Sequence, residues 1–245
     1  MIKVLPTASN LLLSGLLIHG GARAFGGGMH GIELAPGHGS LSAMTLSQSS
    51  VVNLDFGLFQ ASTTQATTRS LTVSRCLFTG NLLDDLEFNA PNASMQHVVV
   101  RNSVFSGSGQ FAIGLANVQH ATLSKNYFSG FRNEPIHIED RSAWINVTRN
   151  VFGKGKAASV SWSTMILVIG GSHSIQIQNN NFDLTSSAPP RHGIFLGPGG
   201  LNRPRPHDIL IDRNRFTLAS DTMAWANYGA DAVTVAGNQV VKVLK

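Results

Sequence analysis

The chain has 245 residues, of which 13% are charged, and a formal net charge of +5. Its 25 glycines, together with many Asn, Ser and Thr residues between short β-branched runs, are typical of an all-β protein with many turns and exclude a helical or disordered chain. Lys and Arg are scattered and no apolar run reaches about 18 residues, so we expect neither nucleic-acid binding nor a membrane span.

The N-terminal region allows two interpretations. An apolar stretch at 11–18 followed by Ala22, Arg23 and Ala24 imitates a signal peptide with its cleavage site. The alternative, which we favour, is that 11–18 already forms the first coil of a repeat. It predicts that the chain begins abruptly in the middle of a stack and that His30–Leu34 is a strand of the next coil.

A repeat runs along the whole sequence. An apolar residue is followed five positions later by a large apolar residue, and successive copies differ in spacing as coils with different loops would. The pairs are Leu13/Ile18, Leu54/Phe59, Val73/Phe78, Val100/Phe105, Leu123/Phe128, Val147/Phe152, Ile177/Phe182, Ile211/Phe216 and Val235/Val240.

Asparagine stands two residues before the large side chain in five copies of the repeat. Asn tolerates a left-handed backbone and can bond to the next coil through its amide, so we predict a ladder of Asn126, Asn150, Asn180, Asn214 and Asn238. The phenylalanines of the repeat, including Phe59, should stack inside the coils. The single cysteine, Cys76, excludes an intramolecular disulfide and is expected to be a buried structural thiol.

A second strand of each coil has the pattern apolar-x-apolar. This pattern places the outer two residues of each triplet inside and the middle residue in solvent. The triplets are Ile32-Glu33-Leu34, Leu86-Glu87-Phe88, Ile113-Gly114-Leu115, Ile136-His137-Ile138 and Ile194-Phe195-Leu196, and Met165–Ile169 fits the same place.

From Leu11 to Val240 the chain resembles right-handed parallel β-helix proteins of the pectate-lyase-like superfamily, which have similar Asn-x-Phe corners. The resemblance implies an all-β solenoid of about nine coils, with residues 1–245 as one domain. This fold hosts lyases, hydrolases, epimerases, phage tail spikes and adhesins. The first coil, Ser14–Gly21, is similar to coils of secreted adhesins, so we expect a secreted or cell-surface protein.

Aligned coils give a map of the exposed face, because equivalent residues lie about 4.8 Å apart. The central column is expected to contain Glu33, an unassigned coil, Glu87, Gly114, His137, Val168 and Phe195. Small residues at Ala112, Gly114 and Ala116 should form a floor between polar rows.

This face carries the candidate site. Two carboxyl groups about 6.5–9.5 Å apart suit an inverting glycosidase, and a histidine or arginine beside them suits a lyase or epimerase. We predict Glu87, His137, Glu139 and Arg141 as catalytic residues, and Asp85, Asn89, Arg132, Asp140 and Trp162 as substrate-binding residues. A solvated strand surface explains the same residues without any site.

Narrower comparisons are less informative. The segment Glu134–Phe152 is similar to one in chondroitinase-B-type lyases, but Arg141-Ser142 stands where those enzymes carry a Lys-Ser base. No cofactor is expected, apart from a weak case for Ca²⁺ at Asp84, Asp85 and Glu87.

Two functional hypotheses follow. The first is a polysaccharide lyase or glycoside hydrolase that acts on an extended glycan laid across the parallel sheet. The second is a non-catalytic β-helix of an adhesin or tail spike, structural or glycan-binding. Because the solenoid lacks evident caps, we also expect flanking coils or a homo-oligomer.

Overall fold

The computed structural model describes residues 1–21, 28–60, 65–90, 94–156, 163–187 and 189–243. Each coil contributes one short strand to each of three parallel sheets, A, B and C, and each sheet has nine strands. Within these ranges no helix occurs, and therefore none that is long and apolar enough to cross a membrane.

Neighbouring strands of one sheet are three strands apart in the chain. Sheet A contains β1 (Ile2–Val4), β4 (His30–Leu34), β7 (Phe56–Gln60), β10 (Leu86–Asn89), β13 (Ile113–Ala116), β16 (Ile136–Glu139), β19 (Thr164–Val168), β22 (His192–Leu196) and β25 (Met223–Asn227). Sheet B contains β2 (Leu12–Ser14), β5 (Ser40–Ser47), β8 (Thr67–Ser74), β11 (Met95–Arg101), β14 (Val118–Ser124), β17 (Ala143–Thr148), β20 (His173–Gln178), β23 (His207–Asp212) and β26 (Asp231–Ala236). Sheet C contains β3 (Leu17–His19), β6 (Ser50–Val52), β9 (Leu77–Thr79), β12 (Val104–Ser106), β15 (Tyr127–Ser129), β18 (Val151–Phe152), β21 (Asn181–Leu184), β24 (Arg215–Leu218) and β27 (Gln239–Lys242).

The predicted right-handed parallel β-helix is confirmed, with about eight full turns between the first and last strands of a sheet instead of about nine coils. The interpretation of residues 11–18 as a coil is also confirmed, because β2 and β3 pair with β5 and β6. Residues 22–24 lie outside the described ranges. A single domain over 1–245, flanking coils and a homo-oligomer stay predictions.

A column of phenylalanine rings fills the interior beside sheet C. Successive rings are nearly parallel, with centroids 4.6–5.1 Å apart and at most 2% exposure. The column consists of Phe78, Phe105, Phe128, Phe152, Phe182 and Phe216. Burial of each ring contributes about 1.5–3 kcal/mol relative to exposure.

Phe59 is not in this column, so its predicted place was wrong. It lies on the outer face of β7, in register with Glu33 and Glu87. In the stack, the interior residues that pair with Val73 and Phe78 of the next coil are Leu46 and Val51. The pair Leu54/Phe59 has the same sequence spacing as the repeat, but a turn before β7 places it in a different sheet.

The predicted asparagine ladder is confirmed. The backbone N–H groups of Asn126, Asn150, Asn180 and Asn214 each donate to the side-chain oxygen of the next asparagine at 2.8–2.9 Å. Asn238 accepts the last of these bonds. In the coils that precede Asn126, residues other than asparagine occupy this corner position.

Cys76 is one of those residues. Its buried thiol donates to the carbonyl oxygens of Leu46 and Ser74, and its backbone N–H donates to the Ser103 hydroxyl. Burial raises the pKa of the thiol. The predicted structural role of Cys76 is therefore confirmed.

Removal of one ring from the column should be costly. Phe152 stacks on Phe128 and Phe182 at 4.9 and 4.6 Å, so we expect Phe152→Ala to lower the free energy of unfolding by about 3–5 kcal/mol. Tyr127→Ala, at an exposed ring on the neighbouring strand, is the matched control and should change it by about 0.5 kcal/mol or less. Urea unfolding of both variants measures the difference, and equal midpoints would contradict the stacked column.

Candidate functional site

The outer face of sheet A carries a continuous column of side chains in register. In strand order it contains Lys3, Glu33, Phe59, Glu87, Gly114, His137, Leu167, Phe195 and Ala226. Phe59 fills the coil that the sequence left unassigned. The prediction of Val168 was wrong by one residue, because β19 is continuously apolar and its alternation cannot be read from the sequence.

Glu87 and Asp84 form a hydrogen-bonded carboxyl pair at the start of β10. Burial, and then the negative charge of Asp84, raises the pKa of Glu87 to about 9. Burial also raises the pKa of Asp84, to about 6, while the Phe111 N–H, which donates to it at 2.7 Å, lowers it. At neutral pH the pair therefore keeps one proton.

Gly114 provides the space that Glu87 occupies. A Cβ at this position would collide with Glu87 Oε2, so the glycine lets the carboxyl group lie over β13. Ala112, Gly114 and Ala116 are all buried. The small residues predicted as a floor between the polar rows are therefore covered, Gly114 by the Glu87 carboxyl group.

Asp85 does not lie on the exposed face, so its predicted position was wrong. It is fully buried and accepts hydrogen bonds from the Asn81 amide and the Ser108 hydroxyl. Burial raises its pKa to about 7. Side chains alternate between the interior and the outer face only from Leu86 onward, where β10 starts. In the turn before β10 it is Asp84, and not Asp85, that lies beside Glu87.

His137 lies two strands from Glu87 and packs on Phe111, with ring centroids 4.3 Å apart. The histidine is 9% exposed, and neither ring nitrogen has a hydrogen-bond partner among the described residues. Its Nε2 is 3.6 Å from Glu139 Oε2. Glu134 is also buried nearby, and burial raises its pKa.

Glu139 is held in the ionised form. Its interaction with His137, followed by the charge of Arg203, lowers its pKa against the effect of burial. Arg203 Nη1 is 3.5 Å from Glu139 Oε2 and 3.1 Å from Asp140 Oδ1. Arg203 belongs to a loop that folds back from β22, so its contact with Asp140 spans 63 residues. No local sequence pattern places Arg203 in the site.

Arg141 occupies a different place from Arg203. It is exposed at the corner after β16, with a φ of 63°. Together with Asn89, Asp140 and Arg203 it lines a shallow hollow of about 430 Å³. This hollow lies beside the carboxyl groups of Asp84, Glu87 and Glu139, which we call the carboxyl cluster. Asn89 and Asp140 therefore lie at the edge of the site, and a catalytic role for Arg141 stays a prediction.

Two predicted binding residues remain apart from this group. Arg132 is exposed in the turn before β16, where its backbone N–H donates to the Ser108 carbonyl at 3.1 Å. Trp162 lies outside the described residues. No group of three or more His, Cys, Asp or Glu side chains in the described ranges could hold a metal ion, and Ca²⁺ binding stays untested.

An apolar cleft of about 860 Å³ continues the column beyond His137. Leu167, Phe195 and Tyr228 line it, and the rings of Phe195 and Tyr228 stack at 5.0 Å. Gly199, with a φ of 75°, lets the loop after β22 close against Ile169, because a Cβ there would lie 2.7 Å from the isoleucine Cδ1. Only Phe195 was visible in the sequence pattern.

On the other side of Glu87 lies a second aromatic surface. Phe59 is 4.5 Å from both Phe56 and His30, measured between ring centroids. The carboxyl cluster therefore lies between two aromatic surfaces along the axis of the solenoid. Such rings can stack on the apolar faces of sugar rings.

Comparisons with known proteins agree with this architecture. The family model described as "Right handed beta helix region" matches residues 30–240. The chain is similar to the alginate lyase of Paenibacillus sp. str. FPU-7, with 12% identity and a TM-score of 0.71 over 94% of this chain and 75% of that one. It is also similar to the enzymatically active domain of tailspike protein 2 of bacteriophage CBA120, with 11% identity and a TM-score of 0.56 over 98% of this chain and 39% of that one. At these identities the likeness concerns the fold alone. No curated protein sequence matches the chain.

The raised pKa of Glu87 predicts a pH-dependent effect on stability. Because its folded-state pKa is above its unfolded value, its stabilising contribution is complete below about pH 4 and is lost as the pH rises towards about 9. Glu87→Gln removes this dependence and keeps a donor for Asp84. We expect the variant to raise Tm at pH 8 by about 2–4 °C or more and to change it little at pH 4. Thermal unfolding at both pH values measures this, and the same shift at both would contradict the assignment.

Proposed function

The chain belongs to the right-handed β-helix family, and we propose that it is a glycoside hydrolase that cleaves a neutral glycan lying along the outer face of sheet A. One observation carries the proposal. Two carboxyl groups of sheet A, Glu87 and Glu139, lie two strands apart and have pKa values shifted in opposite directions. Such a pair identifies a general acid and a general base.

The two residues fit the roles by protonation state and by position. Glu87 keeps its proton at neutral pH and donates it to the glycosidic oxygen as the bond to the anomeric carbon breaks. Glu139 is ionised and takes a proton from the water that attacks that carbon. Glu87 and Glu139 are two strands apart, so their backbones are separated by about 10 Å along the axis.

Neighbouring residues support these roles. The negative charge of Asp84 helps to raise the pKa of Glu87 and so favours the protonated form that the acid needs. His137 and Arg203 keep Glu139 ionised. His137 lies on the same strand as Glu139 and two strands from Glu87, so it is close enough to bind a substrate hydroxyl group near the cleaved bond.

The charge of the groove favours hydrolysis of a neutral glycan over elimination from a uronate. A lyase must neutralise the carboxylate of its substrate with cationic or strongly donating groups. Among the described residues of this face, Asp84 and Glu139 are the ionised carboxyl groups near Glu87, and Arg203 already pairs with Glu139 and Asp140. A uronate would therefore meet unfavourable charge.

A non-catalytic glycan-binding β-helix is the second candidate. It is favoured by the two aromatic surfaces that flank the carboxyl cluster, because they would bind sugar rings without any turnover. A binding protein would not use the proton on Glu87, whereas the hydrolase requires it. Replacement of Glu87 therefore distinguishes the two candidates.

Glu87→Gln should reduce turnover of a neutral glycan by about 10²–10⁴-fold, because glutamine cannot protonate the leaving oxygen. Glu33→Gln, a change of the same kind on the same face of β4, is the matched control and should retain activity. A reducing-sugar assay on a polysaccharide panel measures turnover, with ultraviolet absorbance recorded in parallel. Formation of unsaturated uronates would establish a lyase, and absence of turnover in the wild type would favour the binding protein.

The pH profile tests the acid directly. Activity should fall above about pH 9, where Glu87 loses its proton. In Asp84→Asn the negative charge that helps to raise this pKa is absent, so the alkaline limb of kcat/KM should move to lower pH. An alkaline limb that does not move would exclude the Asp84–Glu87 pair as the acid.

A further inference from the structure

The apolar cleft beyond His137 contains a buried polar side chain without a partner. His192, on β22, lines the cleft, is 3% exposed, and has no hydrogen bond to either ring nitrogen within the described ranges. Its ring makes edge contacts with Phe195 and Tyr228, at centroid distances of 5.6 and 6.4 Å. Buried polar groups are nearly always hydrogen-bonded, so such a side chain in a cleft indicates a ligand that supplies the missing partner.

The protonation states of His192 and Glu134 determine which ligand groups can form hydrogen bonds with them. Burial, followed by the charge of Arg191, lowers the pKa of His192, so its ring is neutral at pH 7. A neutral imidazole offers one N–H donor and one acceptor nitrogen. Glu134, which also lines the cleft, has a pKa raised by burial, which favours a carboxyl group that can donate.

The rest of the cleft lining is mainly apolar. Leu167, Phe195 and Tyr228 contribute apolar surface, and Ile169, Pro198 and Leu201 continue it on the loop after β22. A plain sugar hydroxyl would lie beside this apolar surface without gaining from it. A substituent that combines a hydrogen-bond donor, an acceptor and a methyl group would use both the polar and the apolar lining.

We propose that this cleft selects sugar units that carry an acetamido group, with the amide bonded by His192 and Glu134 and the methyl group packed on Leu167. The inference rests on the proposed function, because it places such a unit next to the bond that Glu87 and Glu139 cleave. Leu167 follows His137 directly in the column. The cleft extends from the turn before β16 to the end of β25, three strand spacings or about 14 Å along the axis, a length that accommodates a disaccharide.

Two trisaccharides that differ only at C2 test the selection. N,N′,N″-triacetylchitotriose carries acetamido groups where cellotriose carries hydroxyl groups. Isothermal titration calorimetry in the Glu87→Gln background measures binding without turnover. We expect the acetamido trisaccharide to bind about tenfold more tightly. Equal affinities would overturn the inference.

Variants assign the preference to the cleft. Leu167→Ser removes the apolar contact of the methyl group, so the affinity ratio should fall towards one while binding of cellotriose is retained. Leu77→Ser, at a partly exposed leucine on sheet C, is the matched control and should keep the ratio. His192→Leu should also lower the ratio, and circular dichroism establishes that this buried change leaves the fold intact. A ratio unchanged in both cleft variants would contradict the proposed contacts.

Failure of this inference can be distinguished from failure of the proposed function. Wild-type protein that hydrolyses neutral glycans but binds both trisaccharides equally would overturn only the acetamido selection. Protein that shows the preference but has no turnover on any glycan would overturn only the hydrolase assignment.

Discussion

Stacking of identical side chains on successive coils is the interaction on which the rest of the structure depends. The phenylalanine rings repeat at 4.6–5.1 Å, which matches the distance between neighbouring strands of a sheet. The asparagine ladder satisfies backbone N–H groups at one corner with the same repeat. Ring stacking and backbone pairing therefore favour one spacing, and a coil that slipped by one residue would lose both.

This fixed register turns distant parts of the sequence into neighbours on the surface. Glu87 and His137 lie on opposite sides of Gly114 because β10, β13 and β16 pair in register. A rigid strand leaves Glu87 little freedom to move away from Asp84, and burial then raises the pKa of both. Removal of these carboxyl groups from water lowers the stability of the fold. The stacked coils elsewhere in the solenoid compensate for this loss, as is common at functional sites.

The regular parts of the molecule were predictable from the sequence for a physical reason. Alternation in Leu86-Glu87-Phe88 and Ile136-His137-Ile138 reports burial directly, and the interior phenylalanines follow the same rule. Prediction failed where a pattern was ambiguous or non-local. Phe59 imitated the interior spacing, whereas Asp85 lies in a turn where alternation does not apply.

Loops account for the part of the site that no local pattern could show. Arg203 reaches Glu139 from a loop that leaves sheet A two strands further along the axis, and the same loop forms one wall of the apolar cleft. The sheet thus supplies the carboxyl groups at fixed spacing, while the loop supplies the charge that keeps Glu139 ionised and the surface that would meet a substituent of the sugar. Because loops tolerate sequence change far better than stacked coils, the charge beside Glu139 and the wall of the cleft can change while the coils stay the same. The fold alone therefore predicts neither, and the function has to be inferred from the contacts that this particular loop makes.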